Sequence, residues 1–414
     1  MLTKRHILPL LFAVLIAASC CNRSRGEVDG TPEKVMILLS NGYNNRLGGY
    51  LSNDISEMKT SGYVPSRSSG DYLFILSKLG SSISTKGPVL TRIYRDTDER
   101  VVADTVYRKE KNTVLADAQV IKEFLEFVQT EYPARSYGMV VSSHATGWLP
   151  AGYYAHPETD PDHKKTTQSG NYFAWDARQP YRTITSEGPP PRNKEVELAD
   201  FVSAIPMHLD YLIIDACLCG VETAYAFKDV ADYFACSPTE VMANGFDYSK
   251  IASHLLEKDV PDVKAVCEDF IYYYTYEYDY KCASVALYDC LKLPALASAC
   301  KPLFEQYSAA LCGTLDWTKT QGYFGGDKHW FFDLVHALEM AGASAEEITP
   351  VRNAIDQCLV YKGSTGKYYS DSDGKPHDID HFSGISMYLP CAGTPYLDGI
   401  YRKTAWNQAT GLVQ

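Results

Sequence analysis

The chain has no excess of positive charge. Its 39 Lys and Arg are outnumbered by 51 Asp and Glu, for a formal net charge of -12. That excludes nucleic acid as the expected partner, because phosphate binding needs a basic surface. Beyond the N-terminus no apolar run is long enough to cross a bilayer. Nor is there a disulfide framework. Small secreted scaffolds are Cys-dense, whereas this chain has 12 Cys in 414 residues, and those after Cys21 are scattered. Most read as buried thiols, as at Cys236, Cys282 and Cys300. The pair Cys217 and Cys219 has no second Cys or His pair nearby, so a metal motif lacks its further ligands. No internal repeat is present.

What is present begins with a leader. Lys4 and Arg5 precede an apolar run from Ile7 to Ala18, too short to span a bilayer comfortably, which ends in AASCC. This is a secretory signal. Its ending resembles a bacterial lipobox with Cys20 as the acylated residue and Cys21 as the weaker choice, although Ala17 stands where Leu is commoner. Cleavage without a lipid is the plainer alternative. Residues 1–20 are thus expected to be a lipoprotein signal and 21–33 a tether. The remainder, 34–414, is expected to be one domain in the bacterial cell envelope, periplasmic or surface-exposed.

Short apolar runs then alternate with helical patterns. KVMILLS at 34–40, VLTRIYR at 89–95, YGMVVSSH at 137–144, YLIIDA at 211–216 and DYFACSP at 232–238 read as strands. DYLFILSKLG at 71–80 is ambiguous. Residues 112–132 read as a helix with Ile121, Phe124, Leu125 and Val128 on one face. A helix is expected at 221–230 and another at 261–279. Later come a strand at 283–289, helices around 291–311 and 330–359, and a strand at 385–390. Such alternation implies parallel βαβ units, with ligand sites beyond the carboxyl ends of the strands. Residues 149–195 break the pattern with Pro, Gly, Ser and charge, and read as a long loop. The run YYYTYEYDY at 272–280 reads as the packed and rim face of a helix, an interaction surface being the rarer alternative.

Two strand ends carry reactive groups. His144 ends one apolar run and Cys217 follows another, so both emerge at the same sheet edge. An imidazole beside a thiol can take its proton and make it a nucleophile. Cys219 adjoins the start of the next helix, where a thiolate is also stabilised. The residues alone leave both thiols open, with the strand tip favouring Cys217. A redox pair and a plain buried cysteine are the competing readings.

SSHATGW at 142–148 and IIDACLCGVETAYAFKDVADYFACSPTE from 213 onward resemble the two catalytic blocks of the clostripain family of cysteine peptidases, relatives of caspases and gingipains. NGFDYSKI at 244–251 and SGISMYLP near the end extend the resemblance over nearly the whole mature chain. It implies an α/β, caspase-like three-layer sandwich with a mainly parallel central sheet flanked by helices. It implies an endopeptidase with His144 as base and Cys217 as nucleophile, and the backbone N–H groups of Ala145 and Cys217 as oxyanion hole. Ala145 departs from the family's usual Gly, and Cys219 from its Met. The resemblance also implies that Asp215 lines an S1 pocket for Arg or Lys, with Glu240 and Asp247 as further candidates for its wall. Processing after a base in the long loop follows, at Lys164, Lys165, Arg178, Arg182, Arg192 or Lys194. No metal is needed for the chemistry, although Ca2+ supports some relatives. The expected partners are a peptide or protein substrate and, through the lipid, a membrane. The rival is a binding lipoprotein on the same fold with weak or no activity.

Overall fold

The structure is a computed structural model that describes residues 34–43, 45–80, 86–154, 156–162, 185–187, 194–326 and 328–414. The signal segment, Cys20, the 21–33 tether and the loop bases Lys164, Lys165, Arg178, Arg182 and Arg192 lie outside the described residues.

The first apolar run forms β1 (Lys34–Asn41), buried at every position. Its side chains alternate between two cores. Val35, Ile37 and Leu39 enter one, Met36 and Leu38 the other. A strand covered on both faces must be apolar on both, which is why it reads as a continuous run. Each such buried aliphatic side chain stabilises the fold by about 1.5–3 kcal/mol.

Eight further strands join it: β2 (Tyr72–Lys78), β3 (Val89–Arg95), β4 (Val101–Arg108), β5 (Ser136–Ser142), β6 (Leu209–Asp215), β7 (Ala231–Cys236), β8 (Ser284–Asp289) and β9 (Leu359–Ser364). Their order is β9-β8-β7-β6-β5-β1-β2-β3-β4. From β7 through β6, β5 and β1 to β2 the pairing is parallel. Both margins are antiparallel. The ambiguous 71–80 stretch is therefore a strand. The edge strand β4 has no buried position, so it carries no apolar run to betray it.

Helices cover both faces. α1 (Gly48–Thr60) and α4 (Val263–Tyr272) contribute Met58, Val266 and Phe270 to one core. α2 (Ala118–Glu131), α3 (Val221–Ala226), α5 (Leu293–Gln306) and α6 (Ala345–Cys358) pack into the other. α2 buries the four residues its periodicity singles out. It starts at 118 rather than 112 because the Asp117 carboxylate accepts from the N–H groups of Gln119 and Val120, an N-cap. The helix expected over 330–359 is broken. A helix over Leu334–Met340 ends before Gly342, at φ +100°, and α6 restarts behind a Ser344–Glu347 capping box. The late strand is reduced to Ser386–Met387, paired with Phe332–Asp333 away from the main sheet. No described helix is long and apolar enough to cross a membrane.

Candidate active site

β5 and β6 are parallel neighbours in a register that sets Ser142 beside Asp215. The chain leaves both strands on the same edge, and the two exit loops meet. Leu218 holds φ +60°, a left-handed conformation rare for a side chain with a branch. Gly147 holds φ +59°, and a Cβ there would sit 2.3 Å from the Leu218 carbonyl oxygen. The two loops are thus packed backbone to backbone, and only glycine fits at 147.

Between them opens a cleft of about 300 Å³. His144, Ala145 and Thr146 line it from the β5 side, and Asp215, Ala216 and Cys217 from the β6 side. His144 is only 8% exposed. Cys217 is half-buried and accepts a hydrogen bond at Sγ from the Val241 N–H, 3.3 Å away. Burial, and then the nearby Glu240 carboxyl, pushes the Cys217 thiol well up, against the pull of the Val241 N–H. The thiol at rest is therefore neutral and needs a base to become a nucleophile.

Cys219 has a different surrounding. It is fully buried in the core, its N–H bonds the Ser237 carbonyl, and burial pushes its thiol up to about 12. It does not line the cleft. Of the two thiols, Cys217 lines the cleft and Cys219 is turned into the core.

The N–H groups of Ala145 and Cys217 donate to no other group of the described chain. Ala145 is not among the described non-glycine residues with positive φ, which are Glu99 and Leu218. The alanine therefore sits there without backbone strain, and the donor survives the departure from Gly.

Asp215 lies at the base of the cleft, 5% exposed. Its Oδ2 accepts from the Tyr248 hydroxyl at 2.8 Å, the Ser142 hydroxyl at 3.3 Å and the Phe246 N–H at 3.4 Å. None of these donors uses Oδ1. Burial raises the carboxyl to about 6, against the pull of those three donors. Gly245, at φ +59°, lets the following loop close on it, since a Cβ there would meet Oδ2 at 2.3 Å.

The other two acids have other work. Glu240 lines the cleft, but its carboxylate accepts from the Asp371 N–H and the Ser370 hydroxyl, both at 2.9 Å, and from the Tyr154 hydroxyl at 3.3 Å. It clasps the hairpin of β10 (Lys367–Ser370) and β11 (Lys375–Asp378) to the cleft rim. Asp247 does not line the cleft. It is bound to the Ser249 N–H and hydroxyl and paired with Lys250 at 2.9 Å. Its expected place on the pocket wall is corrected: local turn bonding turns it aside. Of the loop bases, Lys194 is described and is exposed.

Sequence reasoning missed the rest of the wall. Leu47, Tyr50 and Leu51 line the cleft from the start of α1, and Tyr369 and Asp371 from the β10–β11 hairpin. Their i, i+3, i+4 spacing was the one available signal for the first group. Asp54, one turn beyond Leu51, is buried with a carboxyl raised to about 8 by desolvation, then by the charges of Asp215 and Glu57.

Among the described residues one group could hold a metal: His336, Glu339 and His381. It does not suit calcium, which takes six or more oxygens. His336 Nδ1 already accepts the Gln321 N–H at 2.9 Å, and the two imidazoles stack at 3.6 Å with planes 12° apart, so no single ion lies in both ring planes.

A mainly parallel sheet thus lies between two helical layers, and His144 and Cys217 line one cleft from adjacent strand ends. The chain belongs to the clostripain family, whose model matches residues 41–396. It is 26% identical to clostripain from Hathewaya histolytica over 241 residues, 53% of this chain and 41% of that protein, and so spans less than half of that relative's length. An inactive zymogen C11 protease from Parabacteroides distasonis shares the fold with a TM-score of 0.74 at 24% identity, over 93% of this chain and 99% of that one. A secreted C11 cysteine protease from Bacteroides thetaiotaomicron, iotapain, gives 0.71 at 22% identity over 92% and 99%. A complex of a secreted C11 protease from the same organism with an irreversible peptide inhibitor gives 0.70 at 21% over 91% and 98%.

Proposed function

We propose that this chain is a cysteine endopeptidase that cleaves after Arg or Lys. The observation that carries it is the convergence of His144, Cys217 and Asp215 on one cleft. His144 takes the thiol proton as Cys217 Sγ attacks the scissile carbonyl carbon. The N–H groups of Ala145 and Cys217 hold the oxyanion. The C–N bond breaks, and His144 delivers the proton to the leaving amine. Water, deprotonated by His144, then hydrolyses the thioester and restores the thiol. Asp215, buried at the cleft floor, meets the basic P1 side chain as a charge-assisted partner. No step of this chemistry passes through a metal.

The test is alkylation by an activity-based probe with a basic P1 residue, followed by peptide mapping. Cys217 is expected to carry the label, and His144→Ala to suppress it. Label on Cys219 overturns the assignment. A folded protein that resists several probes favours a binding lipoprotein instead.

Export is proposed from the leader sequence and from relatives described as secreted. An anchor at Cys20 is part of that proposal. Cys20→Ala is expected to move the protein from membrane to soluble fractions, and equal partition of mutant and wild type would refute the anchor.

A further inference from the structure

The run YYYTYEYDY is not consumed by the catalytic reading. α4 ends at Tyr272, and the chain continues as a single π turn over Tyr273–Glu277. A π turn shifts the phase of a helix, and such turns recur at functional sites. Here it separates the tyrosines by fate. Tyr274 is buried, and its hydroxyl donates to the Gly245 carbonyl at 3.2 Å, on the loop that closes over Asp215. Tyr272, Tyr276 and Tyr280 are left 49%, 69% and 55% exposed.

The exposed rings are not isolated. Tyr272 and Tyr276 lie 4.9 Å apart, and Tyr273 stacks on Tyr278 at 5.6 Å. Tyr278 reaches Tyr280 at 6.1 Å, and Tyr280 reaches Tyr369 at 6.3 Å. Tyr369 lines the cleft. Tyr50, a second lining residue, is 46% exposed. Tyr273, Tyr278, Tyr280 and Tyr369 therefore form an aromatic strip continuous with the cleft, and the Tyr272–Tyr276 pair lies outside that chain of contacts. Glu277 and Asp279 are exposed along the strip, so its outer part is acidic, while at the cleft end Asp371 beside Tyr369 faces a lining that also holds Arg46. Lys281 follows the strip, and Lys250 is paired with Asp247.

We propose that this strip is an extended substrate-binding surface, which holds a basic segment of the polypeptide flanking the scissile bond. Tyrosine faces attract ammonium and guanidinium groups, and carboxylates beside them add attraction without demanding one geometry. A surface of this kind selects a charge class of substrate rather than one sequence. The proposal rests on the reading of the cleft as the peptidase site, because the strip is placed by its continuity with that cleft.

The experiment compares two fluorogenic peptides with the same scissile residue. One fills the cleft only, and the other adds a flank of eight residues on each side containing Lys and Arg. Tyr278→Ser with Tyr280→Ser is measured against wild type and against Tyr233→Ser, which removes an exposed tyrosine outside the strip. The double variant is expected to lower kcat/KM for the long peptide, relative to the short one, by about fivefold to tenfold, chiefly through KM. Replacing the basic flank by Gly and Ser should erase the difference between the double variant and wild type. An unchanged ratio overturns the surface, as does an equal loss with Tyr233→Ser. Loss of a dimer in light scattering on tyrosine substitution overturns it in favour of self-association. Undiminished turnover of the short peptide by Cys217→Ala is a separate failure, that of the catalytic reading. Inactive Cys217→Ala with an unmoved ratio sinks the strip alone.

Discussion

The exit loops of β5 and β6 solve the same problem by opposite means. Each must turn sharply off a parallel strand and present a reactive side chain to the cleft. The first makes its left-handed turn at Gly147, where no Cβ is in the way. The second makes it at Leu218, a residue that pays a conformational penalty of about 1–2 kcal/mol and is held there by burial of its side chain, 2% exposed. The glycine turn is a property of the local sequence. The leucine turn is imposed by packing, and it sits one residue past Cys217. Strain of that kind persists where the surroundings over-determine it.

The comparison is broken most severely at Gly147. Gly147→Ala adds a Cβ against the Leu218 carbonyl at a φ that alanine resists. A destabilisation of about 3 kcal/mol is expected, with a loss of turnover larger than the loss of fold, since both loops must move. Thermal melts and turnover of a basic P1 peptide check this. A variant that melts and turns over like wild type would show that the two loops are not packed as described.

Next comes Asp215, which belongs to the β6 loop alone. Asp215→Asn keeps the shape but removes the charge. Cleavage after Arg and Lys should fall by about 10- to 100-fold relative to cleavage after Leu, the span expected for a charge-assisted pair of roughly 1.5–3 kcal/mol. P1 series for wild type and variant are the measurement. An unaltered ratio of basic to neutral cleavage removes Asp215 from specificity and leaves the Cys217–His144 reading intact.

The smallest effect sharpens the picture behind Asp215. Burial, then the charges of Asp215 and Glu57, raises the Asp54 carboxyl from an ordinary 3.8 to about 8. A raised acid binds its proton more tightly in the folded state. Its contribution to stability is intact below about pH 4 and is lost as pH rises toward 8. Asp54→Asn cannot titrate, so its melting temperature should gain on wild type across that window, by about 2–4 °C at the upper end. A constant difference from pH 4 to pH 8 would show that Asp54 does not carry the proton.

Much of this molecule is legible in one dimension. Strands buried on both faces announce themselves as apolar runs, which places β1, β5 and β6 within two residues of their ends. Parallel order then brings His144 and Cys217 to one edge, and strand ends are where such sheets put their chemistry. The family resemblance, too, was legible in the sequence, over the blocks at 142–148 and from 213 onward. The edge strand β4 stayed hidden because no face of it is buried. The break at Gly342 stayed hidden because the apolar period runs on across it.

Tertiary structure alone decided what each acid does. Asp215, Glu240 and Asp247 are all carboxylates near Cys217 in sequence. One is buried at the cleft floor, one clasps a hairpin more than a hundred residues away, and one turns aside to Lys250. The same holds for the cleft walls contributed by Tyr50 and Tyr369, and for the proton on Asp54. Local periodicity reports which residues of an element are buried. It does not report which distant group they are buried against, and burial partners are what set charge, hydrogen bonding and the shape of a site.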